Sequence, residues 1–149
     1  MLRILAVLII VCFPSIVLAN DYMTLRSNEV YMRYGPSTNH PIKWVYQKKG
    51  WPVEIKNTFD QWTKVRDING EEGWIHKSLL SRRSYAIVQS NNEKSYVVLR
   101  KKKASGLVRI EDGGLVKVHE CDDLVCKVSI SSFKGYLEKK LLWGIVQNQ

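Results

Sequence analysis

The chain has 149 residues, with 23 Lys+Arg against 14 Asp+Glu and a formal charge of +9. Hydrophobic residues make 45% and charged residues 25%, which excludes a disordered chain, collagen and a long coiled coil. The length allows one medium domain or two small ones, and it is short for a two-domain enzyme built round a cofactor fold.

Residues 1–19 have the layout of a secretory signal. Arg3 supplies the positive start, residues 4–13 are an unbroken apolar run, and Val17-Leu18-Ala19 precedes polar Asn20-Asp21. Cleavage is expected after Ala19. An uncleaved anchor is the competing reading, although Pro14 interrupts an apolar stretch of barely sufficient length. Asn20, not a cysteine, follows Ala19, so no lipid-modified start is expected. No later apolar run reaches the length of a membrane span, so no transmembrane segment is expected after cleavage. The expected location is periplasmic or secreted. An oxidising space makes a disulfide the first reading of the two remaining cysteines, Cys121 and Cys126.

The rest of the chain repeats one pattern. VEIKNTFDQWTKV, from Val53 to Val65, aligns without a gap on VKVHECDDLVCKV, from Val116 to Val128, at a spacing of 63 residues. After one deletion Gly73-Trp74-Ile75 matches Gly135-Tyr136-Leu137, and Leu79-Leu80 matches Leu141-Leu142; upstream, Gly50 matches Gly113. The front ends match poorly, with Val30-Tyr31-Met32-Arg33 set against Val97-Val98-Leu99-Arg100. Alternating apolar residues at Val53/Ile55, Val116/Val118 and Val128/Ile130 predict strands, with turn signals at short intervals between them. Asn69-Gly70 is the strongest hairpin signal. The expected fold class is all-β, as two tandem small barrels over residues 20–81 and 82–149 after a signal peptide at 1–19.

Residues of the first unit resemble a known family. Asn28-Glu29-Val30-Tyr31-Met32-Arg33-Tyr34-Gly35-Pro36-Ser37 is similar to the opening of bacterial SH3-like (SH3b) domains. Lys49-Gly50, Val53-Glu54-Ile55, Asp60 to Val65, Gly73-Trp74-Ile75 and Leu79-Leu80 continue in the family's manner. The second unit keeps the back half of the pattern, lacks the Gly-Pro-Ser turn, and has Tyr136 where the family usually has Trp. The resemblance implies a five-stranded barrel in each unit and a non-catalytic binding or envelope role.

The candidate binding residues are aromatic. By analogy with peptide-binding SH3 grooves, Tyr34, Trp44 and Trp51 could line a groove for peptide or glycan, whereas Trp62 and Trp74 are expected in the core. Expected partners are a cell-wall polymer, a peptide or an envelope protein, and export argues against nucleic acid. Arg100, Lys101, Lys102 and Lys103 form the densest basic run. It is either a solvated loop or a patch for anionic lipid or lipopolysaccharide.

A two-residue turn at Asp123-Leu124 would set Cys121 opposite Cys126, but in that register Val116 and Val118 would point away from Val128. A bulge or an odd-length loop would restore the core and leave the cysteines diagonal. His119 could join them as a third metal ligand, but the spacing lacks a C-x2-C pair and a fourth ligand. No site for a metal or cofactor is assigned. No phosphate loop, nucleophile elbow or zinc-protease motif is present, and Glu71-Glu72 and Asp122-Asp123 are adjacent residues in turns. No catalytic residue is assigned.

Overall fold

The computed structural model describes residues 21–90, 96–99 and 108–146, with only the backbone described at 96–99. The expected export signal at 1–19 and the basic run Arg100, Lys101, Lys102 and Lys103 lie outside the described residues. Fourteen strands are described. Those of the first unit are β1 (Tyr22–Leu25), β2 (Val30–Arg33), β3 (Ile42–Tyr46), β4 (Pro52–Phe59), β5 (Trp62–Arg66), β6 (Glu72–His76) and β7 (Leu80–Ser81). Those of the second are β8 (Tyr85–Val88), β9 (Tyr96–Leu99), β10 (Val108–Glu111), β11 (Leu115–Cys121), β12 (Val125–Ile130), β13 (Phe133–Glu138) and β14 (Leu142–Trp143). Apart from two single-turn 3-10 helices, Lys77–Leu79 and Lys139–Leu141, no helix is present among the described residues.

The first seven strands form one antiparallel sheet in the order β3-β2-β6-β5-β4-β1-β7. In the second unit β13-β12-β11-β8-β14 form one sheet, and β10-β9 a separate hairpin. Each unit closes on its own core. Leu25, Val30, Met32, Tyr46, Val53, Val65, Ile75 and Leu80 fill the first. Ala86, Val88, Ile110, Val116, Val118, Cys126, Val128, Leu137 and Leu142 fill the second. The alternation read from the sequence therefore selects the inward face, as period-two side-chain geometry requires.

The repeat extends to the backbone hydrogen bonds. Leu25 N–H donates to Trp51 O at 2.9 Å and Gly50 N–H to Leu25 O at 2.8 Å; Val88 N–H donates to Gly114 O and Gly113 N–H to Val88 O, both at 2.8 Å. The bonds Ile55 N to Asp21 O, Arg26 N to Leu79 O and Lys77 N to Gln61 O recur as Val118 N to Ser84 O, Gln89 N to Leu141 O and Lys139 N to Leu124 O. Two sequences with few identical side chains thus satisfy their buried backbone groups by the same pairings.

Two local expectations change. Trp62 and Trp74 are not core residues. They occupy outward, half-buried positions that alternate with buried Thr63, Val65, Gly73 and Ile75. Trp62 packs edge-on against His76 at 5.3 Å between ring centroids. The Tyr at 136 is tolerated in the second unit for the same reason, since it too alternates with buried Gly135 and Leu137. Asn69-Gly70 does not make a two-residue hairpin. It lies in the longer loop between β5 and β6, where Asp67 Oδ1 accepts from Asn69 N–H and Glu71 N–H, both at 2.9 Å, and only Gly70 has positive φ. The short side-chain acceptor organises the loop, so the positive φ that the hairpin type needs at both central residues is not required.

Cys121 and Cys126 form a disulfide. They stand directly opposite in the β11–β12 register, and a bulge between Val118 and Glu120 lets Val118 pair with Val128. The bulge is the expected one. It lies on the core side of the cysteines, however, so they are not diagonal. Cys126 faces the core while Cys121 is exposed. His119 Nε2 lies 2.8 Å from Ser129 Oγ, and no cluster of metal-ligating side chains occurs among the described residues.

Candidate functional site

The β2–β3 hairpin forms the open margin of the first sheet, because β3 has no strand beyond it. Its connecting loop is held by its own side chains. Ser37 Oγ lies 2.9 Å from His40 Nδ1, Arg33 Nη1 donates to His40 O at 2.8 Å, and Tyr34 N–H donates to Pro41 O at 3.2 Å. Gly35 is required there: a Cβ would lie 2.4 Å from the His40 ring. The Gly-Pro-Ser turn is thus built round the histidine that follows it.

This hairpin presents Tyr34, 64% exposed, and Trp44, 50% exposed. Trp44 is paired with buried Met32 in the register, but at the sheet margin it has no further strand to cover it. Ile42, Val45 and Tyr31 add exposed apolar surface on the same two strands. Lys43 fixes the hairpin to the β5–β6 side. Its Nζ donates to Glu72 O at 2.7 Å, pairs with Glu71 Oε2 at 3.0 Å, and lies 5.7 Å from the centroid of the Tyr34 ring. The ammonium thus holds the ring by a cation–π contact while two acceptors on another loop hold the ammonium. The sequence reading did not single out Lys43; its position between apolar Ile42 and Trp44 in a short strand was the available signal.

Trp51 is placed differently. It follows the turn at Gly50, packs against the first core, and has Lys48 Nζ 5.4 Å from its ring centroid. The structure therefore brings Tyr34 and Trp44 onto one hairpin and puts Trp51 at the base of β4. Neither the cleft at Arg26, Lys49 and Arg83 nor the one at Asp21, His119 and Lys139 has Tyr34, Trp44 or Trp51 in its lining.

The electrostatics of this region are structural. Tyr46, at the end of β3, donates from its phenol to Asp67 Oδ2 at 3.1 Å. Burial, then the charge and hydrogen bond of Asp67, push the Tyr46 phenol far above its ordinary range. Tyr31 is raised by its hydrogen bond to Glu29, and the Lys64 ammonium holds the Glu72 carboxyl below the usual carboxylate range. The hairpin offers exposed aromatic surface, and no cluster of metal-ligating side chains occurs among the described residues.

The first unit is a small antiparallel β domain with exposed aromatics on a braced hairpin. Residues 26–82 match the bacterial SH3 domain, and this part of the chain is a bacterial SH3 domain; the second unit is a similar β domain. The match covers the Gly-Pro-Ser turn, both candidate hairpin aromatics and the strands to β7. No catalytic domain is detected. No curated protein matches the chain.

Proposed function

We propose that the chain is an exported, non-catalytic binding module of the bacterial envelope. Its first domain recognises peptidoglycan, its stem peptide or an envelope protein through the β2–β3 hairpin. Bacterial SH3 domains are typically cell-wall binding modules. The observation that carries the reading is that the matched segment contains the exposed Tyr34 and Trp44, with Lys43 bracing the hairpin between them. Rigid aromatics held at a sheet margin contribute area at low entropic cost when an extended ligand is laid against them. The disulfide and the signal-like residues 1–19 support export. No helix among the described residues is long and apolar enough to cross a membrane.

The test is co-sedimentation of the purified protein with peptidoglycan sacculi at low and high salt, with anionic liposomes as control. Pelleting with sacculi alone, resistant to about 0.5 M salt where the Debye length is only a few ångströms, and lost in Tyr34→Ala and Trp44→Ala, supports the reading. Trp51→Ala would report on stability as well, because its ring packs on the core. Salt-sensitive pelleting with both materials would favour the alternative, an electrostatic adaptor acting through Arg100 to Lys103. No pelleting with either would reject a cell-wall ligand.

A further inference from the structure

One surface cleft of the protein is lined by three cationic residues. It has a volume of about 280 Å³ and lies where β1, the turn before β4 and the segment joining the two units meet. Arg26, Lys49 and Arg83 line it, and among the described residues no acidic one does. Among the described residues none of the three cationic side chains has a carboxylate partner. We propose that this cleft is a binding site for a phosphate group carried on a small polar or lipid stem.

Backbone bonds fix the segments that carry the three cations. Arg26 N–H donates to Leu79 O at 2.8 Å, and Gly50 N–H donates to Leu25 O at 2.8 Å, so the residues bearing Arg26 and Lys49 are fastened side by side. The buried hydroxyl of Thr24 lies 3.2 Å from Ser81 O and 3.1 Å from Arg83 O. Arg83 N–H donates in turn to Ser81 Oγ at 3.3 Å. The joining segment is therefore folded back against β1 with its arginine at the cleft. Gly50 has φ +84°, and a Cβ there would lie 3.2 Å from the Tyr85 ring; its absence lets that ring form one wall.

The duplicated scaffold supplies an internal control. In the second unit the same backbone bonds hold Gln89, where the first has Arg26, and Asp112, where it has Lys49. Asp112 Oδ1 accepts from Ser90 N–H. The position matching Arg83 is Ile145. The fold thus needs no cation at any of the three places, and their convergence in the first unit calls for another cause. Keeping three unpaired like charges together is unfavourable unless an anion joins them. Two guanidinium forks and one ammonium suit the several oxygens and up to two charges of a phosphate better than a single carboxylate. The volume lies just under the roughly 300–1,000 Å³ of small-ligand pockets. It suits a phosphate with one attached ring or stem, which Leu25 and Tyr85 would flank.

The test uses protein purified after expression of the full-length gene and follows backbone amide NMR shifts at constant ionic strength. Inorganic phosphate and glucose 6-phosphate should each give saturable shifts at Arg26, Gly50 and Arg83, and glucose alone should give none. Arg26→Gln and Lys49→Asp place at these positions the residues that the second unit carries on the same backbone. Each should weaken glucose 6-phosphate binding by about tenfold or more. Should either fail to fold, Arg83→Gln in the exposed joining segment puts the same question. Phosphatidic acid vesicles against phosphatidylcholine vesicles separate the sources. Pelleting with the first alone, lost in Lys49→Asp, assigns a lipid phosphate, and soluble binding without pelleting assigns a soluble phosphate ester. Absence of saturable shifts with both phosphates, or equal affinity in the variants, overturns the proposal.

Discussion

The phenol of Tyr46 donates to Asp67 Oδ2 at 3.1 Å in the interior of the first domain. It joins the last residue of the margin strand to the loop that follows β5. Asp67 spends its other oxygen on the Asn69 and Glu71 amides, so one carboxylate holds a strand end and a loop together. Tyr46→Phe keeps the ring and removes the hydroxyl. It is expected to cost about 1–2 kcal/mol, the usual consequence of leaving a buried acceptor short of a partner. Urea denaturation gives the value, and an unchanged midpoint would show that the bond contributes nothing.

Glu54 is 1% exposed. Arg66 donates to its Oε2 from Nε at 2.8 Å and approaches it with Nη2 at 2.6 Å, while Lys56 Nζ lies 3.1 Å from Oε1. Arg66→Ala leaves a buried carboxylate with only the lysine and is expected to destabilise by about 1–3 kcal/mol. Lys64→Ala breaks an exposed pair with Glu72 and should cost less than about 1 kcal/mol. Equal losses in the two variants, measured by denaturant unfolding, would contradict this ordering.

Removing the Cys121–Cys126 bond as the Cys121→Ala, Cys126→Ala double variant is expected to cost about 2 kcal/mol, the chain-entropy value for so short a loop. Cys126→Ser should be worse than Cys126→Ala, because it sets a hydroxyl in the second core. Thermal unfolding with and without reductant is the measurement, and the double variant should be insensitive to reductant.

Asp122 organises the same turn, accepting from Leu124 N–H at 2.8 Å and Val125 N–H at 2.7 Å. These amides hold its carboxyl below the usual carboxylate range. A lowered folded value means that the contribution is fully present above the unfolded pKa of about 3.9 and is lost as pH falls through the folded value. The stability gap between the protein and Asp122→Ala should therefore be largest near neutrality and narrow under acid. A gap that does not change between pH 7 and pH 2 would refute the linkage.

A Cβ on Gly144 would lie 2.5 Å from Pro52 Cβ, and its φ is +98°. Gly70 has φ +87° but open space around it. Gly70→Ala should cost only the backbone term of about 1–2 kcal/mol. Gly144→Ala adds a collision between the two units and should lower the melting temperature further. Indistinguishable melting temperatures would mean that the units can separate there freely.

Much of this was readable from the residues. The spacing of 63 residues is repeated in the backbone bonds of Leu25 and Val88 because both units satisfy the same groups. The Gly-Pro-Ser turn, the disulfide and the bulge follow from local chemistry. Bulk alone points Trp62 and Trp74 to the core, whereas strand alternation with Val65 and Ile75 puts them outside. Asn69-Gly70 does not set its own loop because a side-chain acceptor two residues before Asn69, Asp67, organises it. Trp51 is not separable from Tyr34 by sequence, since both lie beside turns and only the tertiary packing distinguishes core edge from open margin. The cleft of Arg26, Lys49 and Arg83 was invisible because its residues come from three separate segments.

Tyr22, near the start of the described chain, packs edge-on against Trp143, near its close, at 5.4 Å between ring centroids. The described part of the polypeptide therefore comes back on itself. A circular permutant joining residue 146 to residue 21 through a short linker and opened between Ser131 and Ser132 would keep both cores and the contact between these rings. The order in which the two halves are threaded is then a matter of synthesis rather than of architecture.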